Sequence, residues 1–104
     1  MYTELTEDNL NELVQSKETI IVQYSAGWCG NCRLIKPKFK NFSDEYEKVK
    51  FVVVDAERFP VSRQLANVTN LPTFAAFKNG AISKQIQTNK AESLKQFIDE
   101  ITSN

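Results

Sequence analysis

Apolar residues recur along this chain with two different periods, and the two alternate. Ile20-Ile21-Val22, Phe51-Val52-Val53-Val54 and Phe74-Ala75-Ala76-Phe77 are short continuous apolar runs. The first two are rich in β-branched side chains, the pattern of strands covered on both faces. Around them, apolar residues fall at helical spacing: Leu10, Leu13 and Val14; Ile35, Phe39, Phe42 and Tyr46; Val61, Leu65 and Val68; Leu94, Phe97, Ile98 and Ile101. Each set makes one stripe that needs a sheet to cover it. Strand and helix in alternation specify an α/β layer architecture. Asn79-Gly80, between Phe77 and Ile82, predicts a two-residue hairpin and so an antiparallel last pair of strands. The helical crossovers before it imply parallel neighbours, which makes the sheet mixed. Thr6 is the expected N-cap of the first helix, and Asn89-Lys90-Ala91-Glu92 the expected start of the last. A chain of 104 residues can bury a core of its own, and residues 1–104 are expected to form one domain.

The only two cysteines, Cys29 and Cys32, stand where the first apolar run gives way to the second amphipathic segment. A Cys-x-x-Cys pair there lets one sulfur attack a partner's disulfide while the other lies near enough to expel the mixed intermediate. Two alternatives use the same residues. Buried cysteines can serve as small hydrophobes, and thiolates can bind metal. Two thiolates, however, are half of a tetrahedral zinc site, and the chain has no histidine and no further cysteine. A metal would need a dimer that shares four thiolates around zinc or an iron–sulfur cluster, so neither metal nor cofactor is expected.

Thirteen basic and thirteen acidic residues cancel, leaving no net field to draw the chain to nucleic acid or to an anionic membrane. Met1-Tyr2-Thr3-Glu4 lacks a charged n-region and an apolar h-region, and no apolar stretch approaches the roughly 20 residues of a spanning helix. The expectation is a soluble, cytoplasmic monomer.

Trp28-Cys29-Gly30-Asn31-Cys32, Pro37 five residues on, Leu71-Pro72-Thr73 and Phe77-Lys78-Asn79-Gly80 resemble the thioredoxin family, and the resemblance spans essentially the whole chain. It implies a central mixed β-sheet of four to five strands flanked by four helices, with the dithiol at the start of the second helix and a cis-proline facing it. Cys29 would then be the nucleophile, its thiolate favoured by the free N–H groups and dipole of a helix N-terminus. Cys32, one turn in and more shielded, would be the resolving thiol. Gly30 and Asn31 complete the motif. Pro72 would be the cis-proline, freeing the Leu71 backbone to pair with an extended substrate strand and keeping metals from the thiols. Trp28 would wall the same partner groove. Pro37 removes a hydrogen bond inside a long helix and should kink it. The implied activity is reduction of protein disulfides, with a thioredoxin reductase as electron donor. The alternatives are a disulfide oxidant or isomerase of the protein disulfide isomerase kind, and a binding module that uses the same surface without electron transfer.

Departures from the family pattern carry their own expectations. Gln23, six residues before Cys29, stands where thioredoxins carry a buried aspartate that helps take the proton from the resolving thiol. A carboxamide cannot. Val53 replaces the lysine or polar residue often opposite that acid, which is consistent, since a neutral side chain needs no charged partner. Deprotonation of Cys32 should then rely on water or Gln-held solvent. Asn31 stands where the family usually has proline, and its added donor capacity should favour the dithiol form and raise the redox potential. A glycine usual near Ile86-Gln87-Thr88 is missing, so the range of partners should be narrower.

Overall fold

Each of the three continuous apolar runs lies inside a strand, and each helical stripe begins in a helix. The computed structural model describes residues 1–103. In chain order the elements are β1 (Tyr2–Glu4), α1 (Leu10–Val14), β2 (Ile20–Ser25), α2 (Gly30–Glu45), β3 (Lys50–Asp55), α3 (Pro60–Arg63), β4 (Thr73–Lys78), β5 (Ala81–Gln87) and α4 (Ala91–Thr102). The strands form one sheet in the order β1-β3-β2-β4-β5. β3 runs parallel to β1 and β2, whereas β4 is antiparallel to β2 and β5. This is the expected mixed sheet with four helices.

Successive strand residues point to opposite faces, so the continuous runs feed two cores. Val22, Tyr24, Val52, Val54, Ala75 and Phe77 pack with Leu10, Val14 and Phe59 on one face. Ile21, Phe51, Phe74 and Ala76 pack with residues of α2 and α4 on the other. Phe39 anchors α2 to the second face, its ring centroid 5.1 Å from Phe51 and 5.6 Å from Phe74. Fully buried, it fixes the helix whose first turn carries the cysteines. The β4–β5 turn is made by Asn79 and Gly80 at φ 55° and 86°, both positive as the tight hairpin demands.

Three local expectations are corrected. Thr6 does not cap α1; the helix starts at Leu10, and Asn9 at its N-cap makes no side-chain capping bond. The neighbouring Asp8 instead caps α3 across the chain, its carboxylate accepting the N–H groups of Val61 at 3.0 Å and Ser62 at 2.7 Å. The third helical stripe is helix only at Val61. Leu65 N–H and Ala66 N–H bond back three residues to Ser62 and Arg63, a tightening that ends the helix, so Leu65 reaches the core from a turn and Val68 from the irregular chain after it. Finally, the crossover through α3 does not yield a parallel neighbour for β2. Although about as long as the α1 connection, the segment through α3 hands the chain over at the end of the sheet where it left β3. β4 starts there, runs opposite to β2, and brings the segment before Thr73 beside the segment after Ser25.

Candidate active site

That shared edge is where the cysteines lie. β2 ends at Ser25 and the chain turns through Ala26-Gly27-Trp28, closed by Cys29 N–H donating to the Ala26 carbonyl at 3.1 Å. Cys29 is the N-cap of α2, in extended conformation, and its Sγ accepts the N–H of Cys32 at 3.2 Å. The first turn of a helix leaves N–H groups without intrahelical partners, and here one of them is spent on sulfur. Cys29 and Cys32 are joined by a disulfide with a Cα–Cα separation of 5.3 Å. Cys32 is 1 % exposed and Cys29 5 %, so the less buried cysteine is also the one at the helix end.

Leu71 packs on Ala26, Cys29 and Cys32, and the Leu71–Pro72 peptide bond is cis. Pro72 is buried and leads directly into β4. Among the described residues, neither the N–H nor the C=O of Leu71 makes a hydrogen bond. Trp28 is 66 % exposed beside the disulfide. It is not a core tryptophan. Gly30 and Asn31 are also exposed, and a Cβ built on Gly30 would meet nothing within 4 Å. Pro37 lies further along α2, exposed, and the helix continues through it to Glu45.

Gln23 reaches the site from below. It is fully buried, and its Nε2 donates to the Cys32 carbonyl at 3.2 Å and to Ser25 Oγ at 3.3 Å. Its Oε1 is the one buried side-chain oxygen or nitrogen without a partner among the described residues. Val53 is its registered neighbour on β3 and lies on the same face. A cleft of about 350 Å³ opens behind the disulfide, lined among others by Ser25, Cys32, Lys36, Val53 and Arg58. Lys36 pairs with Glu4 at 2.8 Å, and this contact holds the Glu4 carboxyl below its usual range. A larger cleft, about 420 Å³, lies between Tyr46, Lys78 and Ile101 and touches none of these residues. Among the described residues no group of three or more His, Cys, Asp or Glu is placed to hold a metal, and no helix is long and apolar enough to cross a membrane.

Sequence reasoning passed over Leu34, which is 76 % exposed on α2 two residues beyond Cys32. The available signal was its position off the buried stripe of Ile35 and Phe39. It also passed over Arg33, whose guanidinium donates to the Gly27 carbonyl at 2.6 Å and braces the turn before Cys29.

A paired, unequally exposed dithiol at a helix N-terminus, beside an unpaired stretch of backbone, is equipped for thiol–disulfide exchange. Comparison with known proteins points the same way. The family model for thioredoxin matches residues 1–100. Thioredoxin H2 of Arabidopsis thaliana is 32% identical over 93 residues, covering 89% of this chain and 70% of that protein. Thioredoxin 1 of Plasmodium falciparum is 32% identical over 89 residues, 86% of each chain. Among solved structures, Plasmodium falciparum thioredoxin superposes with a TM-score of 0.88 at 29% identity, over 94% of this chain and 97% of that one. Schistosoma mansoni thioredoxin gives a TM-score of 0.88 at 31% identity, over 95% and 94%.

Proposed function

The chain belongs to the thioredoxin family and is a thiol:disulfide oxidoreductase acting on protein disulfides; on that premise we propose the role of each site residue. In the dithiol form, the Cys29 thiolate attacks one sulfur of a substrate disulfide. The Cys29–substrate S–S bond forms, the substrate S–S bond breaks, and the departing substrate thiolate takes up a proton. Cys32 then loses its proton and attacks Cys29 Sγ, closing the intrachain disulfide and releasing the second substrate thiol. Two electrons have passed to the substrate. The observation that carries this assignment is the Cys32 N–H aimed at Cys29 Sγ at the head of α2. There, free donors and the helix dipole favour a negative sulfur.

Trp28, Leu71 and Pro72 form the substrate groove in this reading, and the unpaired Leu71 backbone is the edge that an extended substrate strand joins. The open space outside Gly30 admits the partner chain. Residues 1–104 act as one domain and as a monomer. A thioredoxin reductase recharges the dithiol in a reducing cytoplasm. The deciding assay is insulin reduction coupled to NADPH and a thioredoxin reductase, with turnover as the expected result. Failure there, together with net oxidation of reduced substrates, would instead favour an oxidant or isomerase.

Asn31 modulates the potential. It is exposed in the first turn of α2, and its N–H makes no intrachain hydrogen bond among the described residues, so it is free to support the Cys29 thiolate. Asn31→Pro deletes this donor at no cost in existing bonds. Equilibration with glutathione should show the variant more reducing by about 30 mV, the equivalent of roughly 1.4 kcal/mol for this two-electron couple. An equal or higher potential in the variant would refute the donor role.

A further inference from the structure

The segment that presents Leu71 is held by side chains from another element. Among the described residues no backbone–backbone hydrogen bond is made by residues 67–71. Gln85 of β5 supplies what a neighbouring strand would have given: its Nε2 donates to the Asn67 carbonyl at 2.7 Å and its Oε1 accepts the Asn67 N–H at 2.9 Å. Two residues along β5, Gln87 Nε2 donates to Thr69 Oγ1 at 3.0 Å and Gln87 Oε1 accepts from Asn70 Nδ2 at 3.4 Å. Opposite Gln87 on β4, Thr73 donates through its hydroxyl to the Asn70 carbonyl. From the other side, the Arg63 guanidinium donates to the Val68 carbonyl at 3.0 Å. Gln85 and Gln87 stand opposite Ala75 and Thr73 and so share a face of the sheet, while Ile86 between them packs into the other core.

We propose that Gln85 and Gln87 are positioning residues for protein-disulfide reduction: they hold residues 67–70 so that the Leu71 backbone meets an extended substrate in the correct register. The inference rests on the reading of Leu71 as a strand partner. The glutamine contacts are largely at the surface and add little to global stability. Their effect falls on the loop itself and on substrates that use its backbone. A small disulfide needs only the sulfurs and is indifferent to the loop.

The test is the double variant Gln85→Ala/Gln87→Ala, recycled with dithiothreitol for insulin and, pre-reduced and freed of dithiothreitol, reacted in single turnover with 5,5′-dithiobis(2-nitrobenzoate), with the glutathione-equilibrated potential measured in parallel. KM for insulin should rise about fivefold, the weight of roughly one hydrogen bond. kcat, the rate with the small disulfide and the potential should stay within about twofold of wild type. Parallel losses on both substrates, or a shifted potential, would show general damage and overturn the proposal. A wild type with no preference for insulin over the small disulfide would sink the reading of Leu71. A wild type with that preference and a double variant that keeps it would sink the glutamine proposal alone.

Discussion

Cys29→Ser is expected to abolish protein-disulfide reduction, whereas Cys32→Ser is expected to stop after half a cycle with the substrate covalently attached. A serine hydroxyl at position 29 can neither ionise near neutrality nor form a bond of the disulfide kind, so the first attack is lost outright. Removing the second sulfur leaves that attack intact and deletes the only group near enough to expel the intermediate. The 5.3 Å Cα separation of the two cysteines makes that rescue intramolecular in the native chain. Mass spectrometry of the Cys32→Ser variant after mixing with a disulfide substrate, without added thiol, should therefore show a stoichiometric adduct, and Cys29→Ser none. Alkylation of Cys29 in the Cys32→Ser background should titrate below the roughly 8.5 of a free thiol, because the helix end that offers it the N–H of residue 32 stabilises its charged form. An adduct on Cys32 in Cys29→Ser, with none in Cys32→Ser, would reverse the two roles, and steady turnover by Cys32→Ser would show that release does not need the second sulfur.

The cysteine pair was legible because its chemistry is local: three residues of separation suffice to place both sulfurs on one helical turn. Strands β2, β3 and β4 were legible for a related reason, since burial on both faces leaves an unbroken apolar run in each. β5 is exposed along most of its length and declared itself only through the Asn79-Gly80 turn. β1 has three residues, too few for a period to be read. What stayed hidden depends on residues distant in sequence. Asp8 sits where a local cap belongs but spends its carboxylate on an amide 54 residues away. Gln85 and Gln87 look like ordinary polar strand residues until the fold brings Asn67, Thr69 and Asn70 beneath them. The antiparallel β2–β4 pair likewise was not written in the α3 segment, whose apolar spacing overstated the helix and said nothing of the end of the sheet at which the chain re-enters.

Gln23→Asp is expected to accelerate the second half-reaction and to destabilise the fold at neutral pH. In the native chain the Gln23 amide donates to the Cys32 carbonyl, and its Oε1 faces no donor among the described residues. It can hold the backbone of the resolving cysteine but cannot take that cysteine's proton. A carboxylate at 23 can, and positioned general bases contribute roughly a hundredfold or more where geometry is favourable. An increase of about tenfold in mixed-disulfide resolution is expected, followed in single turnover by fluorescence of the sole tryptophan, Trp28. The same substitution puts an ionisable group at a position with no solvent exposure, beside Val53 rather than a cation. Desolvation will raise its pKa, and a rise of about 3 units would cost the folded state about 4 kcal/mol once the pH exceeds the raised value. Below the unfolded-state pKa of about 4 the acid is protonated in both folded and unfolded chains, and the ionisation penalty vanishes; it grows as the pH climbs from there and levels off above the raised folded-state pKa. Urea titrations at pH 4 and pH 8 should therefore show a stability gap to wild type that widens with pH, while resolution speeds up over the same interval as the new carboxylate ionises. Faster resolution without the widening gap would place the new acid in contact with water, and a widening gap without faster resolution would mean that the proton on Cys32 leaves by a route that does not pass residue 23.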